Sequence, residues 1–453
     1  MRLKKPPEDR MMEPLVLNFG LLLGYLQQSI ERIPDPRQAS NATRYRLGDA
    51  ILAAFSVFFM QCESFLEHQR QMQSRRGQDN AQTLFGLERI PSVPQIRNIL
   101  DQIGAQQLFG VFERVYRALQ QGGYLKAYQC LGGHLLVALD GTQYFSSQKV
   151  GCDECSTRTH QNGRVTSFHS AILPVIVAPT QAQVIALAPE FIRPQDGCHK
   201  QDCELEAAKR WLPAHAKQFD RQPITLLGDD LYSHQPLCQQ SLELGMNFIF
   251  TALPASHPAL YERLHVLEVL GAMQRLETRQ NQGKTHTRYR YRYTNLVPIR
   301  DAQPALLINW CELTVTDERT GQVLYHNAWI THHRLSDDTV APVVAAGRSR
   351  WKTENENHNV LKTQGYHLEH NFGHGQAHLS SCLLTLNLLA FLFHTVLQLL
   401  DPAYQQIRQQ RGTRRGFFQD LLCLTKYLLF ESWQHLIDFM LADSDPILTP
   451  NSS

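Results

Sequence analysis

Between residues 134 and 252 the chain alternates short apolar runs with amphipathic stretches, the pattern of a mixed α/β core. HLLVAL (134–139) reads as a buried strand, 167–178 as a second and 183–188 as a third. The stretch 202–219, DCELEAAKRWLPAHAKQF, has helical periodicity. Residues 223–227 are a fourth strand, 235–244 a second helix and 247–252 a fifth strand. Short continuous apolar runs bounded by Gly, Pro and Asp suit strands covered on both faces. Three strands, a helix, a strand, a helix and a strand predict an α/β core around a mixed sheet.

The flanks have a different texture. Helical spacing over 15–30, 47–70 and 96–119 makes 1–130 a helical N-terminal region, interrupted by the polar stretch 73–82. Pro91 and Pro94 bracket a turn before 95–102, which admits a DNA-reading helix-turn-helix or a plain helical hairpin. Residues 272–335 read as a β-rich insertion, with RYRYRYT at 288–294, strands at 306–315 and 322–331, and a turn at 317–321 between them. It separates a first part of the core (131–271) from a second (336–400). A helical C-terminal region (401–453) follows, with a basic loop holding Arg408, Arg411, Arg414 and Arg415, and a frayed tail.

With 43% hydrophobic and 19% charged residues the chain supports a large core and is not disordered. Lys plus Arg is 44 against 42 acidic residues, so a polyanionic partner would be met by local basic patches. Leu379–Leu400 is apolar enough to span a bilayer, yet carries Ser380, Ser381, Thr385, Asn387, His394 and Gln398. That composition favours a buried core helix and no membrane partner. The start, MRLKKPPEDRMMEP, has no apolar stretch, so the ten cysteines are expected reduced in a cytoplasmic chain.

Three acids stand where chemistry would use them. Asp140 ends the first strand in LLVALDGT, where Gly141 would let the backbone turn away. Asp229 ends the fourth strand in ITLLGDDLY, with Asp230 as the alternative. Glu354 lies in SRWKTENENHNVLK, a basic helix after the insertion. Asp at a strand end is also a common turn former or cap, but two after buried strands with a Glu beyond form a set. Hard cations take oxygen ligands, and a pair of Mg²⁺ ions can activate an attacking oxygen and stabilise a leaving one. On a helix Arg350 and Glu354 share a face that His358 and Lys362 continue, and Trp351 suggests a packed helix.

With these residues the chain resembles the DDE transposases of bacterial insertion sequences, IS4-like enzymes with an RNase H-like core. The resemblance rests on the "DGT" strand end, on Tyr232 three residues after Asp229, and on the Arg350-x3-Glu354 spacing with Trp351. Gly347 stands where the family's signature has a Tyr, and Lys362 falls one residue beyond its Lys. It covers roughly 130–400, and the β-rich stretch resembles the family's insertion domain. It implies Mg²⁺- or Mn²⁺-dependent cleavage at transposon ends, then attack of the freed 3′-hydroxyl on target DNA. Asp140, Asp229 and Glu354 would be the catalytic metal ligands. Arg348, Arg350, His358, Lys362 and Tyr232 would contact DNA, and a homodimer would pair two ends in a nucleoid-associated bacterial protein. The alternatives are a nuclease of the same fold without strand transfer, or a DNA-binding descendant that no longer catalyses.

Other patterns carry less specific readings. Arg288, Arg290 and Arg292 alternate with Tyr289, Tyr291 and Tyr293, giving one basic face for phosphate and one aromatic face for bases, or else a solvated edge strand. Cys152-x2-Cys155 with His160 and His169, and Cys198-x4-Cys203 with His199, could build a tetrahedral zinc site. The second spacing is loose, so reduced, partly buried cysteines are the preferred reading over structural zinc. His367, His370 and His374 read as a loop near DNA. Neither GxxxxGK[ST] nor Gly-x-Ser-x-Gly occurs, which argues against ATP-driven or serine-hydrolase chemistry.

Overall fold

The computed structural model describes residues 17–38, 44–72, 79–194, 203–219, 221–282 and 285–442. Cys198, His199 and the C-terminal tail lie outside the described residues. The chain begins with α1 (Phe19–Ile30), α2 (Leu47–Phe59), α3 (Phe65–Met72), α4 (Asn80–Phe85), α5 (Val93–Leu100) and α6 (Phe109–Gln121). There follow β1 (Leu135–Ala138), β2 (Gly141–Ser147), β3 (Ser156–Thr159), β4 (Val165–Ile172), β5 (Val175–Val177), β6 (Ile185–Ala186) and β7 (Glu190–Ile192). Then come α7 (Glu204–His215), β8 (Ile224–Gly228), α8 (Gln235–Glu243), β9 (Asn247–Thr251) and α9 (Pro258–Val269). Four long strands, β10 (Gln274–Gln282), β11 (Thr285–Pro298), β12 (Leu307–Asp317) and β13 (Val323–Thr331), precede α10 (Val340–Arg348). A π-helical turn (Thr353–His358) leads into α11 (Asn359–Thr363), and α12 (Leu379–Leu400), α13 (Pro402–Gln410), α14 (Arg414–Tyr427) and α15 (Trp433–Ala442) complete the chain.

The architecture is α/β around a mixed sheet. Among the described residues the main sheet runs β10-β11-β12-β13-β9-β8-β1-β5-β6. β1 is parallel to β8, and β8 to β9, whereas β5 is antiparallel to both β1 and β6. β1 and β8 are buried along their whole length, which is why they read as unbroken apolar runs. The β-rich stretch is not a separate body. β13 pairs antiparallel with β9, so its four strands extend the same sheet.

One sequence reading needs correction here. Residues 167–178 are two strands in two sheets, because Pro174 interrupts the run: β4 pairs with β2, β3 and β7, while β5 joins the main sheet. At Asp140 the chain leaves the main sheet, and Gly141 opens β2 in the smaller sheet. The glycine is needed because Glu204 fills the space, and a Cβ there would lie 2.3 Å from Glu204 Oε2.

The helical regions enclose α12, the 22-residue apolar helix, which is buried against α2, α5 and β6. Two of its polar side chains bond the surrounding protein: Asn387 Nδ2 donates to Tyr366 O at 2.8 Å, and His394 bonds Tyr404 and the Phe59 carbonyl. Pro94 sits in the first turn of α5 and does not precede it. That helix commits its polar side chains to the protein. Arg97 Nε donates to Phe372 O at 2.9 Å, and the carboxylate of Asp101, the residue just past α5, accepts the backbone N–H groups of Gln376, Ala377, His378 and Leu379 at 2.8–3.0 Å. Its exposed residues, Pro94, Gln95 and Asn98, offer no basic face, so the helix-turn-helix reading gains no support. Asp101→Ala leaves four N–H groups at the start of α12 without an acceptor. It is expected to lower unfolding free energy by about 2 kcal/mol. Urea denaturation midpoints check this, and an unchanged midpoint would refute the capping role.

Candidate active site at the strand ends

Parallel register sets the site. Ala138 on β1 lies opposite Leu227 on β8, so two residues further along each strand Asp140 and Asp229 leave the sheet at the same level. Neighbouring strands are about 4.8 Å apart, which brings their side chains to one edge. Asp230, the alternative, faces elsewhere: it accepts Leu253 N at 2.7 Å and lies 3.9 Å from His257. Asp229 also caps the short turn that follows, accepting Leu231 N at 2.9 Å.

The third acid comes from the π-helical turn. Arg350 joins it to β1, with guanidinium nitrogens 2.8 Å from Glu354 Oε1 and 3.9 Å from Asp140 Oδ2. His358 Nδ1 is 3.6 Å from the same Asp140 oxygen. Burial, then the charges of Lys362 and Arg350, lowers the His358 pKa to about 4, so this imidazole is neutral near pH 7. The turn also leaves Thr353 Oγ1, the Asn357 amide and His358 Nε2 buried without a partner among the described residues. π-bulges and unsatisfied polar atoms both concentrate at functional sites.

Glu204, at the start of α7, is a fourth acid that the sequence did not single out. Its Oε1 accepts the Tyr232 hydroxyl at 2.5 Å and Gly141 N at 2.9 Å. Burial raises its pKa. Asp140 is pushed up to about 7, first by burial and further by Glu204, Glu354 and Asp229, with Arg350 opposing. Four carboxyl groups thus share one electrostatic neighbourhood. They are not closed to the spacing of a preformed cage, however, and Arg350 holds two of them. An all-oxygen donor set, under-compensated negative charge at Asp140 and orphaned polar atoms beside it fit a hard divalent cation.

Several expected DNA contacts are engaged within the protein. Tyr232 is fully buried and holds Glu204. Lys362 pairs with Glu369 at 2.9 Å. Trp351 is 47% exposed, so it does not pack the helix down as the sequence suggested. Arg292 forms a bidentate pair with Glu312 at 2.8 and 2.9 Å, and Arg288 lies between Glu277 and Glu318. Tyr291 and Tyr293 are buried in the core, so the aromatic face of β11 is not a base-stacking surface. Arg290 is exposed, and Arg348 is exposed with its guanidinium 4.5 Å from the Tyr325 ring centre. In the C-terminal region Arg411 pairs with Asp420, and Arg408 and Arg414 lie over the rings of Phe417 and Tyr366.

Neither the family models nor the curated proteins offer a match to this sequence. Among solved structures, the NurA nuclease from Sulfolobus solfataricus is 12% identical, with 58% of this chain and 96% of that one covered, at a TM-score of 0.21. A likeness at that score carries no argument about fold or chemistry.

Proposed function

We propose that β6-β5-β1-β8-β9 form an RNase H-like core and that the chain is a DDE-type DNA transposase. The observation that carries this reading is the in-register exit of Asp140 and Asp229 from adjacent parallel strands, with Glu354 brought to Asp140 through Arg350. The antiparallel pairing of β5 with β1 and the strand order β6-β5-β1-β8-β9 support this reading. Asp140, Asp229 and Glu354 would hold Mg²⁺ or Mn²⁺, which supplies activation of the attacking oxygen and stabilisation of the leaving one.

The protein's own groups orient that site. Tyr232 and the Gly141 amide fix Glu204 behind Asp140, and neutral His358 presents an uncharged face to the Asp140 carboxylate. Arg350 provides a cation that can shift from carboxylate to phosphate when DNA enters. Of the residues expected to contact DNA, Arg290 and Arg348 are exposed and would meet the DNA backbone, and pairing of two element ends would make a dimer the acting form.

The test is incubation of purified protein with Mg²⁺ and DNA carrying the element's ends, scored for nicked and for joined products. Both are expected from the wild type. Glu354→Gln should lose both by about 10³-fold while still binding DNA. Nicking without joining would reduce the reading to a nuclease, and no metal-dependent product would remove it.

A further inference from the structure

We infer that Cys152, Cys155, His169 and His374 form a closed structural zinc site, separate from the acidic strand ends. One donor atom from each lies within 4.8 Å of all the others. The two sulfurs are 3.8 Å apart. His169 Nε2 is 3.6 Å from Cys152 Sγ and 3.4 Å from Cys155 Sγ. His374 Nε2 is 3.2 Å from Cys155 Sγ and 3.1 Å from His169 Nε2. Zinc binds sulfur at about 2.3 Å and imidazole at about 2.05 Å, so its tetrahedron has edges of ~3.8 Å between sulfurs, ~3.5 Å from sulfur to nitrogen and ~3.3 Å between nitrogens. Five of the six edges match that figure within a few tenths of an ångström, and the sixth, from Cys152 to His374, is within 4.8 Å. A disulfide would need the sulfurs at about 2.05 Å.

The surroundings are built for a metal. His374 Nδ1 bonds the Gly375 carbonyl at 2.8 Å, which places its proton there and leaves the Nε2 lone pair facing the cluster. Tyr144 and Phe145 cover the imidazoles, with the Phe145 ring centre 4.4 Å from that of His374. The loop bearing His374 is clamped by Arg97 on Phe372 and by Asp101 on the four N–H groups that follow. Gly375 makes that clamp possible: its φ is +73°, and a Cβ would lie 2.3 Å from Asp101 Oδ1.

Two thiolates and two imidazoles select zinc among common divalent ions, and four protein ligands leave no open position for catalysis. Cys152 and Cys155 come from the β2–β3 connection, His169 from β4, and His374 from the segment between α11 and α12. The ion would staple the small sheet that starts beside Asp140 to the segment that follows the Glu354 helix.

Metal analysis of the full chain, purified without chelator, should find about one zinc per chain. Replacement by Co²⁺ should give the intense visible bands of a tetrahedral sulfur–nitrogen site. Cys155→Ser and His374→Ala should lose most of the metal, His374→Cys should retain it, and Asp140→Asn should be unaffected. Folded wild-type protein with zinc near zero and only weak octahedral Co²⁺ absorption overturns the inference. Full zinc in both Cys155→Ser and His374→Ala does so as well. None of these outcomes depends on whether the protein cuts DNA.

Discussion

Asp140→Asn is expected to abolish metal-dependent strand cleavage and, in the same molecule, to stabilise the metal-free fold at neutral and alkaline pH. Asp140 sits at the centre of the acidic neighbourhood, and burial with Glu204, Glu354 and Asp229 pushes its pKa up to about 7 from 3.8. The sign follows from proton counting. Between pH 3.8 and 7 the folded protein holds a proton that the unfolded chain has released. Stability therefore falls as pH rises through that window, and the full penalty persists above it. A shift of that size corresponds to an upper limit of about 4 kcal/mol. Asparagine has the same shape without the charge, so it should recover about 1–4 kcal/mol at pH 8 and less at pH 5. Urea denaturation of both proteins at the two pH values, in EDTA, measures this. Added Mg²⁺ should stabilise the wild type and leave the variant unmoved, because the ion binds only a folded protein that keeps its carboxylate. Cleavage should fall by about 10³-fold or more. A variant no more stable at pH 8 than the wild type would show that Asp140 is not desolvated, and a variant that still cuts would remove it from the chemistry.

That one residue can be both a liability and the centre of the proposed site explains what the sequence could disclose. β1, β8 and β9 were readable because strands buried on both faces leave continuous apolar runs, and the acids ending β1 and β8 stood out against them. β10 was not readable: QRLETRQNQ is polar and lies at the sheet edge, held by its pairing with β11. β3 and β7 are short, and β2, GTQYFSS, is largely polar, so none has an apolar run to mark it. Glu204 carried no signal, since a glutamate in the first turn of a helix is ordinary. What sets it apart is the depth at which Tyr232 and Gly141 hold it. The arginine–tyrosine alternation of β11 was legible as a strand, but the carboxylates that neutralise Arg288 and Arg292 come from the neighbouring strand β10, the middle of β12, the turn after β12 and helix α9. His374 lies 219 residues from Cys155, and no spacing rule spans that gap. The expected partners, His160 and Cys203, are elsewhere. His160 is exposed and bonds Thr166, and Cys203 is exposed just before α7.

Gly347→Tyr would bring the sequence closer to the transposase signature, yet it is expected to be among the most destabilising single changes available. Gly347 lies inside α10, where a glycine costs about 1 kcal/mol relative to alanine. Its presence therefore needs a reason, and packing provides it. A Cβ at this position would lie 2.9 Å from Ile249 Cγ2 and 3.0 Å from Trp329 Nε1. Both neighbours are 1% exposed and belong to the paired strands β9 and β13, so neither can retreat. For alanine the gain in helix propensity partly offsets overpacking of about 1–3 kcal/mol. A tyrosine ring cannot be accommodated at all, and α10 would have to lift from the sheet, at an expected cost of about 4 kcal/mol or more. Because α10 leads directly into the turn bearing Arg350 and Glu354, the lift would also pull Arg350 off Asp140. Denaturation midpoints of Gly347→Ala and Gly347→Tyr, read with cleavage assays, separate the two effects. A stable Gly347→Tyr protein with raised activity would mean that the signature tyrosine can be placed here and that the close packing of α10 on β9 and β13 is not what excludes it.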